Sequence, residues 1–244
     1  DLEYFLNLRS LSCRRPQFPN YDFLSSLNHL EYLYVWDRKP DMISCKNLQS
    51  MDKLAYLYLA GSKLIDTEYL SNLKKLKQLY LPQCELDNID FISELTEIEE
   101  LDLRYNEIGY IQPIANLTRL KNLDLSANDI ENSQAVTDLN DLNEIRLGGN
   151  NIESFIAEGP MHELEYLDLG ENGLRNIDLR NNLPNLRFLG LSKNELQSLN
   201  GLSGLGNLQK LIINENKFAS LGGAPEFPNL EAFLAMNNEI SDLY

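Results

Sequence analysis

Cysteine is scarce: Cys13, Cys45 and Cys84 are the only three in 244 residues, an odd number and too few to staple a chain of this length. Burial, not disulfide bonding, must hold the fold. Histidine is scarcer, with His29 and His162 alone, and tryptophan occurs once, as Trp36. Positive charge is also short. Lysine and arginine number 21 against 37 aspartates and glutamates, a net charge of −16 that argues against nucleic acid as a partner. No apolar run approaches the ~18 residues a membrane span needs, so no membrane insertion is expected. An initiator methionine and a secretory apolar segment are both lacking, so Asp1 is expected to be a cut point within a longer chain. Apolar residues, by contrast, make up 43% of the sequence, which excludes a disordered acidic tail.

Those apolar residues recur with a fixed period. The pattern Leu-x-x-Leu-x-Leu-x-x-Asn-x-Ile/Leu begins at Leu8, Leu30, Leu54, Leu76, Ile98, Leu120, Leu142, Leu164, Leu186, Leu208 and Leu230. Nine of the ten steps are 22 residues and one, from Leu30 to Leu54, is 24. The clearest unit runs from Ile98 to Arg119. In it Leu101 and Leu103 alternate with period two, the signature of a short strand with both leucines turned inward. Ile108, Ile111, Ile114 and Leu117 then follow with period three, which suits a tight 3₁₀-like or irregular return. One such unit cannot bury its apolar side alone, so successive units must stack.

The ninth position carries Asn106, Asn128, Asn150, Asn172, Asn194, Asn216 and Asn238. A buried asparagine there can satisfy backbone groups at the strand-to-turn corner with both its donors and its carbonyl. Pro16, Arg38, Ser62 and Cys84 hold the same place in the first four units, which makes the N-terminal end the irregular one. The long step is expected to bulge between Pro40 and Asn47. Cys84 in this row, and Cys13 at an inward strand position, read as small buried residues.

Period and pattern identify a leucine-rich-repeat chain. The stretch from Ile111 to Leu125, including Pro113-Ile114-Ala115-Asn116-Leu117-Thr118, resembles the bacterial internalin repeat, closely in wording only within that unit and in period over nearly the whole chain. The same period also resembles an intracellular eukaryotic class that includes regulatory subunits of protein phosphatases. The expected fold is an α/β, right-handed leucine-rich-repeat solenoid, a horseshoe. It should carry a parallel β-sheet on the concave face and 3₁₀ or irregular segments on the convex face. Residues 1–244 read as one domain of about eleven repeats, cut at both ends.

Catalysis needs convergent groups, and this layout separates them. His29 and His162 lie six units apart, on the order of 30 Å at ~4.8 Å per strand. No nucleophile–base set, phosphate-cradling loop or Cys/His metal spacing is present, so neither enzyme activity, metal nor cofactor is expected. Gly148-Gly149 and Gly222-Gly223 read as tight turns. Asn116-Leu117-Thr118 matches the N-glycosylation acceptor, but Leu117 is a core position, which argues against its use.

What remains is a surface. Positions 3, 5, 7 and 8 of each unit face out from the concave sheet, and seven of the twelve tyrosines fall there. Five of them, Tyr32, Tyr34, Tyr56, Tyr58 and Tyr80, gather with Trp36 on units two to four, the composition of a binding hot spot. Cross-strand stacking would also place them there for stability alone. The middle units are charged and mostly acidic on this face, with Asp102, Asp124, Arg146 and Asp168, which favours a basic segment of a partner. Tyr166 and Phe188 continue the face. The reading is a non-enzymatic module that binds a protein partner in its concave face. A sugar stacked on the aromatic platform is the other occupant considered. The internalin resemblance implies an extracellular or cell-surface location. Its rivals are a cytoplasmic adaptor of the phosphatase-regulator class and the recruiting domain of a larger enzyme.

Overall fold

A computed structural model describes residues 5–15, 18, 20–37, 42–179 and 181–241. The chain forms two compact units, residues 1–120 and 121–244. Unit 1 carries strands β1 (Ser10–Arg14), β2 (Tyr32–Trp36), β3 (Ile43–Ser44), β4 (Tyr56–Ala60), β5 (Leu64–Ile65), β6 (Gln78–Tyr80) and β7 (Glu100–Asp102). Its main sheet is parallel, in the order β1-β2-β4-β6-β7. Pairing follows the repeat: Tyr32 lies opposite Ser10 on one side and Tyr56 on the other, so the 24-residue step costs no register. The inward residues of these strands, such as Leu33, Leu57, Leu79 and Leu101, form the core.

The return segments carry the period-three pattern. Five 3₁₀ helices pack in sequence, Asp22–Ser26, Cys45–Leu48, Thr67–Asn72, Asp90–Glu94 and Gln112–Asn116. Three residues per turn lets every third side chain point the same way, and Ile111, Ile114 and Leu117 are all buried. Among the described residues no full α-helix follows a strand, as expected. One feature was not expected: β3 and β5 pair in parallel as a small second sheet ahead of the 3₁₀ helices. The expected bulge from Pro40 to Asn47 falls partly outside the described residues, as do Pro16 and Arg38; its described part is β3 and the start of the Cys45–Leu48 helix.

Unit 2 carries β8 (Asn122–Asp124), the one-turn helix α1 (Gln134–Thr137), β9 (Glu144–Arg146), β10 (Ser154–Ile156), β11 (Tyr166–Asp168), β12 (Asn176–Asp178), β13 (Phe188–Gly190), β14 (Lys210–Ile212) and β15 (Ala232–Leu234). Its main sheet is parallel, in the order β8-β9-β11-β13-β14-β15, with β10 and β12 paired separately. Phe155 explains that second pair: it is fully buried between the outward Ser154 and the half-buried Ile156, a period-two stretch within a period-three half.

The asparagine row works as the pattern implies. In unit 1, the Asn106 amide donates to the carbonyls of Leu81 (2.9 Å) and Leu103 (2.8 Å), and its carbonyl accepts from the Cys84 and Leu86 amides. In unit 2, Asn194 donates to Leu169 and Leu191 and accepts from Leu174, and Asn216 repeats the set one strand later. Each asparagine thus ties its own strand end to the one before it. Cys84 performs the donor half of this task, its thiol reaching the Leu59 carbonyl at 3.3 Å. Ser62 is too short for it, and its buried hydroxyl has no partner. Cys45 and Cys84 are fully buried, and burial pushes both thiols up to about 12. Cys13 corrects the sequence reading. It lies in β1 at an inward position, but is only half-buried.

Candidate binding surface

The constant register sets the surface. Residues at one repeat position stand side by side across neighbouring strands, so rings of the same position meet. In unit 1, Tyr32 and Tyr56 stack with centroids 4.2 Å apart and planes 15° from parallel. Tyr34 and Tyr58 stack at 4.4 Å and 18°. Tyr80 closes both rows, 5.4 Å from Tyr56 and 6.0 Å from Tyr58. Its hydroxyl donates to the Glu100 carboxylate. Trp36 stands at position 7, two residues beyond Tyr34 on the same face, with the guanidinium carbons of Arg14 and Arg15 4.6 and 5.0 Å from its ring centroid.

All six aromatic residues are half-buried: the tyrosine rings cover one another, and Arg14 and Arg15 lie on Trp36. Burial raises the hydroxyls of Tyr56, Tyr58 and Tyr80 above the usual tyrosine range, most strongly at Tyr56 and Tyr80, where neighbouring tyrosines and Glu100 add to it. These three hydroxyls therefore stay protonated and hydrogen-bonding across the physiological range. Such rings support the sheet as well as presenting a surface, since stacked pairs contribute about 0.5–1.5 kcal/mol beyond their buried area. Removing Tyr34, Tyr58 and Tyr80 would therefore cost the fold stability as well as contact surface.

Asp102 closes unit 1. It is buried beside Tyr80 in the β6–β7 register, and much of its carboxylate is used locally. Its Oδ1 accepts from the Arg104 amide at 3.1 Å, and Oδ2 lies 3.4 Å from the Arg104 guanidinium. The same two-residue turn recurs in unit 2, where Asp124 accepts from the Ser126 amide and Asp168 from the Gly170 amide. These aspartates terminate strands as much as they charge the face. Burial raises the Asp168 carboxyl above its usual range, opposed by the Gly170 bond and by Arg146.

In unit 2 the predicted residues form a second stack. Tyr166 and Phe188 lie 4.2 Å apart and 2° from parallel. Arg146 covers the Tyr166 ring at 4.9 Å, and the Lys210 ammonium stands 5.7 Å from the Phe188 centroid. Arg146 also pairs with Glu144 on its own strand and stands opposite Asp124 in the β8–β9 register. With a cation on each ring, this stack offers a partner less open aromatic face than the tyrosines of unit 1. Gly190 leaves it room: a Cβ there would lie 2.6 Å from the Asp168 carboxylate and 3.1 Å from the Phe188 ring.

Two things were missed in the sequence. One is the role of Arg14 and Arg15, whose signal was their place at positions 7 and 8 of the first repeat, beside Trp36 of the next. The other is the backbone of position 8. Arg15, Gly61, Gln83, Tyr105, Ala127, Gly149, Glu171, Lys193, Glu215 and Asn237 all have φ between 49° and 75°. Only two glycines and one asparagine among them advertise that left-handed conformation.

His29 faces Lys53, its Nδ1 3.4 Å from the ammonium, on an exposed edge of unit 1. Among the described residues no group of His, Cys, Asp and Glu could hold a metal ion, and no helix is long and apolar enough to cross a membrane.

No protein-family model matches the chain, and no curated protein matches it. Solved structures do. The Listeria monocytogenes internalin InlF is similar at 23% identity with a TM-score of 0.60, over 98% of this chain and 84% of that one. A leucine-rich-repeat protein of Leptospira interrogans is similar at 22% identity and a TM-score of 0.59, over 88% and 68% of the two chains. The Arabidopsis receptor kinase HAESA, solved with the peptide hormone IDA and the co-receptor SERK1, matches at 22% and 0.71, over 97% of this chain but only 43% of its own. At these identities the likeness is one of fold: the chain has a leucine-rich-repeat fold similar to that of the internalins.

Proposed function

We propose that the protein is a non-enzymatic module that binds a protein partner on its strand face, with the tyrosine rows of unit 1 as the centre of contact. The observation that carries this reading is the concentration of five tyrosines and the only tryptophan on one face of β2, β4 and β6, in two stacked rows. Stacking for stability needs rings but no hydroxyls, and phenylalanine would serve it as well as tyrosine. Tyrosine and tryptophan give large, rigid contact area with a polar edge.

The internalin and HAESA likenesses support an extracellular or cell-surface location, in the manner of internalins, and a peptide or protein as the ligand. We extend the proposal to the whole repeat array as one binding domain, because the 22-residue step runs unchanged from Leu54 to Leu230. Acidic residues such as Asp124 and Asp168 then take the contacts with a basic part of the partner.

Site-specific photocrosslinking tests the surface before the partner is identified. A benzoylphenylalanine placed at Tyr58 should capture a discrete partner in the source organism or its target cells. The same group at the exposed Tyr110, off the strand face, should not. Capture from Tyr110 with none from Tyr58 would overturn the proposal.

A further inference from the structure

We infer that Arg14 and Arg15, gathered on the ring of Trp36 at the β1–β2 end of unit 1, form a binding site for an acidic side chain of the partner, in a peptide segment whose apolar residues lie on the adjacent tyrosine rows. This rests on the strand face being the binding surface and names the chemistry it selects.

The first argument is an imbalance. In a chain of net charge −16, carboxylates are in excess and arginines should be claimed by them. Six of the eight described arginines are, from Arg9 with Glu31 at 3.1 Å to Arg187 with Glu165 at 3.4 Å. Arg14 and Arg15 have no carboxylate partner among the described residues, and both are exposed. Instead they stand on an indole, 4.6 and 5.0 Å from its centroid.

The second argument is preorganisation. A guanidinium stacked on an aromatic plane keeps its N–H edges free, and those edges match a carboxylate in a bidentate pair. Arg15 is further fixed by its left-handed backbone, φ 49°, and by its amide, which donates to the Trp36 carbonyl at 2.7 Å. Two guanidiniums within 5.0 Å of one ring centroid repel each other, and an anion at that ring relieves the repulsion. A vacant pair of this kind on an acidic protein selects a partner bearing a negative group at that point.

The third argument is spacing. Trp36 and Tyr34 point to the same face two residues apart, about 7 Å along the strand. An apolar side chain on the Tyr34–Tyr58 row therefore sits one or two residues from a carboxylate that reaches the arginines. An acidic peptide segment meets both demands at once.

Trp36 is the only tryptophan, so its fluorescence reports this site directly. The full chain is titrated with acetyl-Phe-Glu-Glu-amide and with its neutral counterpart acetyl-Phe-Gln-Gln-amide at physiological ionic strength. The acidic peptide should shift Trp36 emission saturably and bind at least tenfold more tightly than the neutral one. The double variant Arg14→Gln/Arg15→Gln, with its thermal unfolding recorded, should lose that preference. Equal binding of the two peptides, no response to the acidic one, or a preference that survives the double variant would overturn the inference. A Tyr34→Ala/Tyr58→Ala variant separates this from the broader proposal. If both peptides bind alike but that variant loses both, the tyrosine face stands and the arginine site falls. If the acidic preference holds and the tyrosine variant binds as the parent does, the arginine site stands and the tyrosine face falls.

Discussion

Asn194 shows what a single residue does in this architecture. Its side chain satisfies two carbonyls and one amide at a buried corner, joining three backbone groups of successive turns. Truncation to alanine leaves the Leu174 amide without a partner where water does not reach, at about 1–3 kcal/mol, and takes one of two donors from each of the Leu169 and Leu191 carbonyls, which keep Asn172 and Asn216, at about 0.5–1 kcal/mol apiece. Asn194→Ala should therefore destabilise the fold by about 3 kcal/mol, a fall of roughly 6–12 °C in the thermal midpoint for a chain of this size. Differential scanning calorimetry measures it. The role of these asparagines was legible because the pattern repeats seven times. The role of Cys84 was only half legible. Its burial followed from its place in the row, whereas the thiol standing in as donor to Leu59 depends on a distance no sequence reports. The cysteines also carry a pH prediction. Cys45 and Cys84 are held up to about 12 against an ordinary 9.0, so the folded state keeps their protons after the unfolded chain has lost them. That stability is complete below pH 9 and is lost as pH climbs from 9 toward 12, the raised tyrosines acting in the same direction. The thermal midpoint should fall across that window. A disulfide reagent at pH 8 should titrate the half-buried Cys13 in the native protein, with Cys45 and Cys84 reacting only on unfolding.

At the scale of elements, strand and return were separable in the sequence because their apolar periods differ, two against three. The strands, the buried faces and the 3₁₀ returns of unit 1 all follow from that contrast. The small outer sheets did not. β10 is a three-residue alternation around Phe155, too short to stand out from the period-three pattern that surrounds it. The left-handed position 8 was hidden for another reason: the demand comes from the strand-to-turn corner, and residues as different as Arg15, Gln83, Ala127 and Lys193 meet it. Two glycines of unit 2 separate this backbone demand from a demand for space. Gly149 is left-handed at φ 70°, yet a Cβ there would meet nothing nearer than 3.5 Å, and Ala127 holds the equivalent place one repeat earlier. Gly149→Ala should cost only about 1 kcal/mol. Gly201 is the opposite case. A Cβ there would lie 1.7 Å from the Ile177 carbonyl, while the Gly201 carbonyl accepts from Leu179 at 2.9 Å and prevents retreat. Gly201→Ala should cost about 3 kcal/mol or more and break the local packing. Urea unfolding of the two variants side by side tests the ranking.

For the molecule as a whole, the candidate surface was legible wherever fixed register translates sequence spacing into neighbourhood. Tyrosines 22 or 24 residues apart had to meet, and they do. What spacing could not convey was how far the rings bury one another, or that the aspartates at position 5 spend part of their charge on the amide two residues on. Those features place structure and function on the same side chains, so a test must separate them. The most direct one compares two variants against the partner captured from Tyr58. Tyr34→Ala/Tyr58→Ala removes one stacked pair, about 0.5–1.5 kcal/mol of stability beyond the area the two half-buried rings cover. If the rows are the hot spot, it should weaken binding by about thirtyfold or more, measured by titration calorimetry below both unfolding transitions. Asn194→Ala should do the reverse, losing about 3 kcal/mol of stability while binding as the parent does. Undiminished affinity in the tyrosine variant, with the asparagine variant the one that fails to bind, would contradict the account.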